Sequence, residues 1–303
     1  MKFLKSKLFL APLALVAAAV IIYTTTLAFR GEILIPNMIR IGDLQFRIYG
    51  IILMLSVLAS AGVLERIFKI AVERNENLKK TFEKFDFYEV LLWSIIPGII
   101  FARIFYFLSN IENYENFVDV IKVWQGGMSI FGAIIGGVIG ILIYLKRAKI
   151  PVFPILDYIF IVIPFGHALG RWANFINQEI YGPPTDLPWK MYVAPAFRTG
   201  IPAQYASSDF FHPLFLYEFL LNLLLFGILF LFFKKGTKKF NGFFIATYAL
   251  GYGIVRFIIE FLRFDPKVLV GLSVAQIVSL LMVFVSIGFL IYKLALKKEN
   301  AKS

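Results

Sequence analysis

His167-Ala-Leu-Gly-Arg-Trp-Ala-Asn-Phe-Ile-Asn-Gln-Glu-Ile-Tyr-Gly182 closes an apolar run and carries Arg171, Asn174, Asn177 and Glu179 to one end of it. A guanidinium at membrane depth costs at least ~2.5–3.5 kcal/mol on insertion scales. A chain that keeps one there usually has an anion for it to meet. Asn174 follows Arg171 by three positions and shares its face if the helix continues. Asn177 extends the row, and Glu179 lies just beyond. Arg103 and Arg256 sit in two other apolar runs. Three such residues converging would make a site for a lipid phosphate.

The rest of the chain supports the membrane setting. Hydrophobic residues make up 59% of its 303 positions, against ~45–50% in soluble domains, and mean hydropathy is +0.78. Several runs reach the ~20 residues that cross a hydrocarbon core. They are continuous rather than alternating, which selects helices over a barrel. The expectation is an all-α polytopic membrane protein of about eight spans: 8–29, 48–68, 90–108, 128–145, 152–173, 214–233, 243–262 and 272–294. The first, after Lys2, Lys5 and Lys7, has the basic start and apolar core of a signal peptide. It lacks a convincing small-x-small cleavage site, and a retained helix is the favoured reading.

Net charge is +12. In a soluble chain that would suggest nucleic acid, but here lysine and arginine collect at the ends of apolar runs. With the N-terminus inside, twenty fall in cytoplasmic segments and eight in outer ones. That asymmetry is the orientation signal, and it puts both termini in the cytoplasm and the long 174–212 connection outside. Gly182-Pro-Pro-Thr-Asp-Leu-Pro-Trp189 reads as turns; with Trp189, Tyr192, Phe197 and Tyr205, the connection is expected to form a small folded cap. The organisation expected is an extra helix and outer linker at 1–47, a membrane domain at 48–296 and a basic tail at 297–303. There is no cysteine, so disulfides, thiolate catalysis and Cys metal sites are excluded. Two distant histidines make no metal site.

In the seventh span Tyr252, Arg256, Glu260 and Arg263 recur at spacings of four, four and three, on one stripe. Glu260 can pair with either arginine; by count, one positive charge is left for a ligand. A structural ion pair locking two helices is the plainer alternative. Gly132, Gly136 and Gly140 form a close-packing face, and Gly126 and Gly127 precede their helix where a ligand could approach the backbone. His212-Pro-Leu-Phe-Leu-Tyr217-Glu218 opens the sixth span, with Tyr217 and Glu218 placed to meet polar partners. His167 precedes Arg171 by one turn.

These motifs together resemble the prolipoprotein diacylglyceryl transferases of bacterial inner membranes. Gly170–Gly182, Val123-Trp-Gln-Gly-Gly-Met-Ser129, His212–Glu218 and Gly251–Arg263 match that family in order and spacing, over about Gln45 to Lys293. The resemblance implies seven spans with the first an addition. It implies transfer of a diacylglyceryl group from phosphatidylglycerol to the lipobox cysteine of a preprolipoprotein, giving a thioether and glycerol phosphate, with no metal or cofactor. Its important residues fall on Tyr49, Arg103, Arg171, Asn174, Gly182, Tyr252, Arg256 and Glu260. Asn177, Glu179 and Arg263 join them as expected lipid-binding residues. Two departures stand out: Phe131 replaces the family's histidine, and Ala173 replaces its usual glycine. Arg171 and Arg256 are expected to carry the chemistry, since guanidiniums fork onto phosphate, and His167 is expected to supply the missing imidazole. A lipid-binding paralogue without turnover is one alternative. An anion transporter is the other, although the chain shows no internal repeat.

Overall fold

The computed structural model describes residues 2–42, 44–75, 78–79, 84–113, 127–198, 200–237 and 240–299. Gly126, most of the Val123–Ser129 motif and the connection before it lie outside the described residues. Among the described residues eight long helices follow one another: α1 Lys2–Phe29, α2 Ile48–Arg74, α3 Phe87–Ser109, α4 Ile130–Arg147, α5 Val152–Ile176, α6 Leu214–Lys234, α7 Phe243–Ile259 and α8 Val274–Glu299. Among the described residues α2 to α8 are long and apolar enough to cross a membrane, α7 counted to Leu262. Their outward surfaces are apolar, with Leu58, Ile96, Ile134, Leu224 and Phe284 all exposed, as lipid-facing helices require. Over α2 to α8 the span edges agree with the sequence reading to within about three residues, except that α2 runs on to Arg74 and α8 to Glu299; α1 starts at Lys2, before the expected edge at 8, and its apolar part, Leu15–Phe29, is shorter than the other spans.

Among the described residues strands occur only as short antiparallel pairs: β1 Met38–Ile41 with β2 Leu44–Arg47, β3 Met191–Tyr192 with β4 Phe210–Phe211, and β5 Lys267–Leu269 with β6 Leu272–Ser273. None was expected. Strands of two to four residues are too short for a period to show in sequence.

Helix pairing follows small residues and caps. α3 lies along α4, because a Cβ at Gly132, Gly136 or Gly140 would run into the backbone oxygens of Phe101, Pro97 and Trp93. The close-packing face expected of those glycines is what α3 sits on. α5 packs against α2 and α6, and α7 against α8. Asp157, fully buried near the start of α5, accepts hydrogen bonds from the backbone N–H groups of Gly242 (2.8 Å), Phe244 (3.0 Å) and Ile245 (3.3 Å). It therefore caps α7 from a neighbouring helix, where an anion also meets the positive end of the helix dipole. Around it lies an apolar core that includes Phe68, Tyr158, Phe233 and Phe244.

At the opposite face α5 and α7 end while α6 and α8 begin. The connection after α5 folds into a cap with its own core of Phe175, Met191, Val193, Phe211 and Phe215, to which Phe197 and Tyr205 add. α1 reaches this core with its last turn: Phe29 packs on Phe175 and Phe215, with ring centroids 5.4 and 6.0 Å apart. Gly31 then stops α1. The Gly31 N–H bonds to the Ala28 carbonyl and the Glu32 N–H to the Leu27 carbonyl; at φ 75° it lies against the Tyr192 ring, 2.7 Å from where a Cβ would stand. Only glycine suits both demands.

Candidate active site

The four helix ends below the cap place a charged cluster there. Arg171, near the end of α5, meets Glu218, in the first turns of α6, at 2.7 Å. Arg256, near the end of α7, reaches the other Glu218 oxygen at 3.6 Å and Glu260, one turn on, at 2.8 Å. Arg263 pairs with Asp265 at 3.0 Å and with Glu260 at 3.6 Å. Asp265 also lies 3.7 Å from Arg256. Glu218 and Glu260 are almost wholly buried, at 2% and 0% exposure.

Ser273 fixes Glu260 from the far side, donating to it at 2.8 Å. Ser273 is itself held by Gln276: the Gln276 N–H bonds to Ser273 Oγ, and the Ser273 N–H to Gln276 Oε1. This reciprocal pair is a capping box at the start of α8. The Ser-x-x-Gln spacing that makes it is visible in the sequence at Ser273 and Gln276.

The cluster corrects the earlier charge count. On the α7 stripe alone one cation is left over. Glu218 and Asp265, from outside the stripe, balance it together with Arg171, so that three guanidiniums meet three carboxylates among the described residues. What remains available is donor capacity. A guanidinium has five N–H donors, and Arg171 Nε is buried without a hydrogen-bond partner. A phosphate arriving here exchanges with carboxylate contacts rather than neutralising a bare charge.

The cluster opens into a cavity of about 730 Å³, lined by Arg171, Tyr252, Arg256, Glu260 and Arg263 together with apolar residues of α8 such as Val274, Val278 and Met282. All four members of the predicted stripe line it. Phe131, at the start of α4, lines it too and is 73% exposed. The position at which the chain departs from the resemblance therefore faces the same space as the arginines.

The row after Arg171 forms a chain of hydrogen bonds. Arg171 Nη1 donates to Asn174 at 3.2 Å, Asn174 to Glu179 at 3.2 Å, and Asn177 to the other Glu179 oxygen at 2.8 Å. Tyr49, in the first turn of α2, is close enough to feel the charges of Glu179 and Arg171. Asn177 and Glu179 line a second cavity beneath the cap. On either side of Glu179 the backbone is strained: Gln178 and Ile180 have φ of 52° and 55°, the left-handed region that non-glycine residues avoid at ~1–3 kcal/mol. Gly182 sits where a Cβ would meet the Leu262 carbonyl at 2.8 Å and His212 Cβ at 3.2 Å. Its small size lets the motif cross the end of α7.

Two expected members lie elsewhere. Arg103 is buried, and its Nη1 donates to the Gly127 carbonyl at 2.8 Å; it is not among the described lining of the arginine cavity. Gly127 holds φ 79° with Arg103 Nη1 2.8 Å from a would-be Cβ, so this glycine admits a side chain of the protein itself. The convergence is therefore of Arg171, Arg256 and Arg263, and Arg103 braces the turn into α4. His167 packs on the Tyr252 ring, with centroids 5.3 Å apart, and its Nδ1 is buried without a partner. It lies behind Tyr252 rather than on the cavity wall.

The other histidine belongs to the cap. Trp189 Nε1 donates to the Tyr217 hydroxyl at 2.7 Å, and His212 Nδ1 lies 2.9 Å from the same oxygen. Indole is a donor only. The tyrosine hydroxyl and His212 Nδ1 share one hydrogen bond, whose direction the imidazole tautomer sets. Burial pushes the His212 pKa down. For Asp265, burial pulls upward, but hydrogen bonds with Glu260 and Arg263 and the charges of Arg263 and Arg256 outweigh it and hold the carboxyl below its usual range.

A model of the prolipoprotein diacylglyceryl transferase family matches residues 36–292. The chain belongs to that family. Among its relatives, the phosphatidylglycerol–prolipoprotein diacylglyceryl transferase of Thermotoga maritima is 36% identical over 278 residues, 90% of each chain. The protein of the same name from Acaryochloris marina is 35% identical over 247 residues, 81% of this chain and 86% of its own. That of Synechococcus elongatus is 32% identical over 269 residues, 87% of this chain and 89% of its own. The prolipoprotein diacylglyceryl transferase match begins after α1, and it contains every residue of the charged cluster.

Proposed function

We infer that this protein transfers the diacylglyceryl group of phosphatidylglycerol to the lipobox cysteine thiol of a preprolipoprotein, in the bacterial inner membrane. The names of its relatives support the reaction. The observation that carries it into this chain is the cavity in which Arg171, Arg256 and Arg263 face an apolar wall. An anionic headgroup and its glyceryl stem need that pairing of surfaces.

In the proposed step the substrate sulfur attacks the glyceryl carbon that bears the phosphate. The carbon–oxygen bond breaks and a carbon–sulfur bond forms. The phosphate oxygen leaves with the electron pair, and the thiol proton ends on the glycerol phosphate. A free thiol has pKa ~8.5 and is a few per cent thiolate at neutral pH. Nearby guanidiniums raise that fraction. Arg171 and Arg256 hold the phosphate by forked hydrogen bonds and stabilise the charge it gains, the kind of contribution that is usually the largest in such a site. Glu218 and Glu260 keep both guanidiniums aimed. Tyr49, Asn174, Asn177, Glu179, Gly182 and Tyr252 shape and orient the site, and Arg103 supports it from α3. His167 remains the candidate imidazole; because it lies behind Tyr252, the reading does not depend on it, and His167→Ala complementation of a transferase-depleted strain decides its part.

The membrane domain 48–296 with its cap is proposed as the transferase unit and 1–47 as an addition, which the start of the family match supports. The lysine and arginine bias supports cytoplasmic termini and an outer cap. The test is direct: purified protein, phosphatidylglycerol vesicles and a lipobox peptide, with the thioether read by mass spectrometry. Product is expected. Lipid binding without product would establish the non-catalytic paralogue instead.

A further inference from the structure

The arginine cavity shares a wall with the second cavity, of about 700 Å³, beneath the cap. Ile180, Arg263, Asp265 and Pro266 line both spaces. The linings otherwise differ in kind. The inner cavity is faced by α8 through Val274, Val278 and Met282, which suits hydrocarbon. The outer one is faced by Asn37, Asn177 and Gln178 with Arg47 and Glu179. A carboxamide offers donors and an acceptor together. Asn177 Nδ2 already donates to Glu179 and Gln178 Oε1 accepts from the Ala194 N–H, which leaves the Asn177 oxygen, the Gln178 amide N–H groups and Asn37 to meet an extended polypeptide backbone.

A thioether-forming transferase must bring a lipid and a polypeptide to one point from different phases. We propose that the outer cavity is the acceptor subsite: it holds the polypeptide that carries the acceptor thiol, in extended form, and presents the thiol across the shared wall beside Asp265 to the lipid in the inner cavity. This rests on the transferase reading above. Three observations support it. The wall is common to both spaces. Ile180, one of the two left-handed residues of the motif, lies in it, and the other, Gln178, lines the outer space. The Asn174–Glu179–Asn177 hydrogen bonds run from Arg171 in one space to the lining of the other. A charge-rich, amide-rich surface next to an apolar lipid space separates two substrates by polarity alone.

The experiment fills each cavity in turn. Ala196 and Asn37 line the outer cavity and are exposed, so Ala196→Trp and Asn37→Trp add bulk without touching the core. Val278 lines the inner cavity and is 49% exposed, so Val278→Trp does the same there. With the full-length protein in nanodiscs, Kd for a fluorescent lipobox peptide and KM for each substrate are measured. Both outer variants are expected to weaken the peptide Kd and raise its KM by at least about fivefold, roughly 1 kcal/mol, with KM for phosphatidylglycerol within twofold of wild type. Val278→Trp is expected to do the reverse. An unchanged peptide Kd in both outer variants overturns the assignment. So does a rise in the lipid KM there, which would place the lipid or its glycerol phosphate product in the outer cavity. If the wild type makes no thioether, peptide Kd still reports on the subsite. Loss of affinity in the outer variants would then uphold the subsite while the transferase reading falls. Thioether formation with indifferent outer variants would do the opposite.

Discussion

Glu218→Gln removes one charge and almost no volume from the point where Arg171 and Arg256 meet. The wild-type carboxylate is 2% exposed and lies 2.7 Å from one guanidinium and 3.6 Å from the other. At an effective dielectric of about 20, each contact carries on the order of 5 kcal/mol of Coulomb energy, most of it offset by desolvation. The net cost of losing one partner of a buried pair is ~3–5 kcal/mol, because the two cations are then left close together and underpaired. For a chain of this size that lowers the unfolding midpoint by roughly 5–8 °C. The same change frees guanidinium donors, so affinity for phosphatidylglycerol should rise or hold while stability falls. Thermal unfolding followed by tryptophan fluorescence, with and without phosphatidylglycerol, reads both. Adding Arg171→Gln removes the uncompensated cation, and the double variant should recover part of the lost stability, a coupling that two independent sites would not show. A Glu218→Gln midpoint within 2 °C of wild type, or additive losses in the double variant, would refute the idea that Glu218 holds the two arginines together.

Asp157→Asn should destabilise by about 1–3 kcal/mol with little change in KM, since buried N–H groups at the start of α7 lose a charged acceptor; thermal unfolding and substrate titration check the two halves. Phe131→His restores an imidazole to the arginine cavity. If phosphate stabilisation limits the rate, turnover should change by less than about tenfold, whereas a missing base would show as a gain of ~100-fold or more. The burial-lowered pKa of His212 makes its protonation unfavourable in the folded state. The unfolded chain therefore takes up the proton first, and stability should fall as pH drops below ~6.5 and level off below the depressed folded pKa. His212→Gln should flatten that slope in pH-dependent unfolding.

Much of this site was legible before any coordinates. The arginine within the apolar run at Arg171 and the four-four-three stripe of α7 are local patterns, and local patterns survive into the structure because one helix fixes them. What failed needed a second element. Arg103 has the same signature as Arg171, but sequence does not give the rotation of one helix against another, and α3 turns it toward Gly127. Glu218 was placed to meet polar partners, but sequence does not say which, and Asp265 reads as a loop acid; the meeting of α5, α6 and α7 makes Arg171 and Arg256 their partners. Asp157 was hidden in a long apolar run, since its targets lie some 85 positions away. The glycine face of α4 was readable because it concerns one helix surface, and its partner followed from where a Cβ cannot fit.

Guanidiniums gathered below the cap are proposed to do the work on the lipid phosphate. Thioether formation from phosphatidylglycerol and a lipobox peptide, compared between the wild type, Arg171→Ala and Arg256→Ala, tests it most directly. Wild-type protein should make product, and each alanine variant should lose at least about 100-fold in turnover while remaining folded by tryptophan fluorescence. Turnover within tenfold of wild type in either variant would contradict the account.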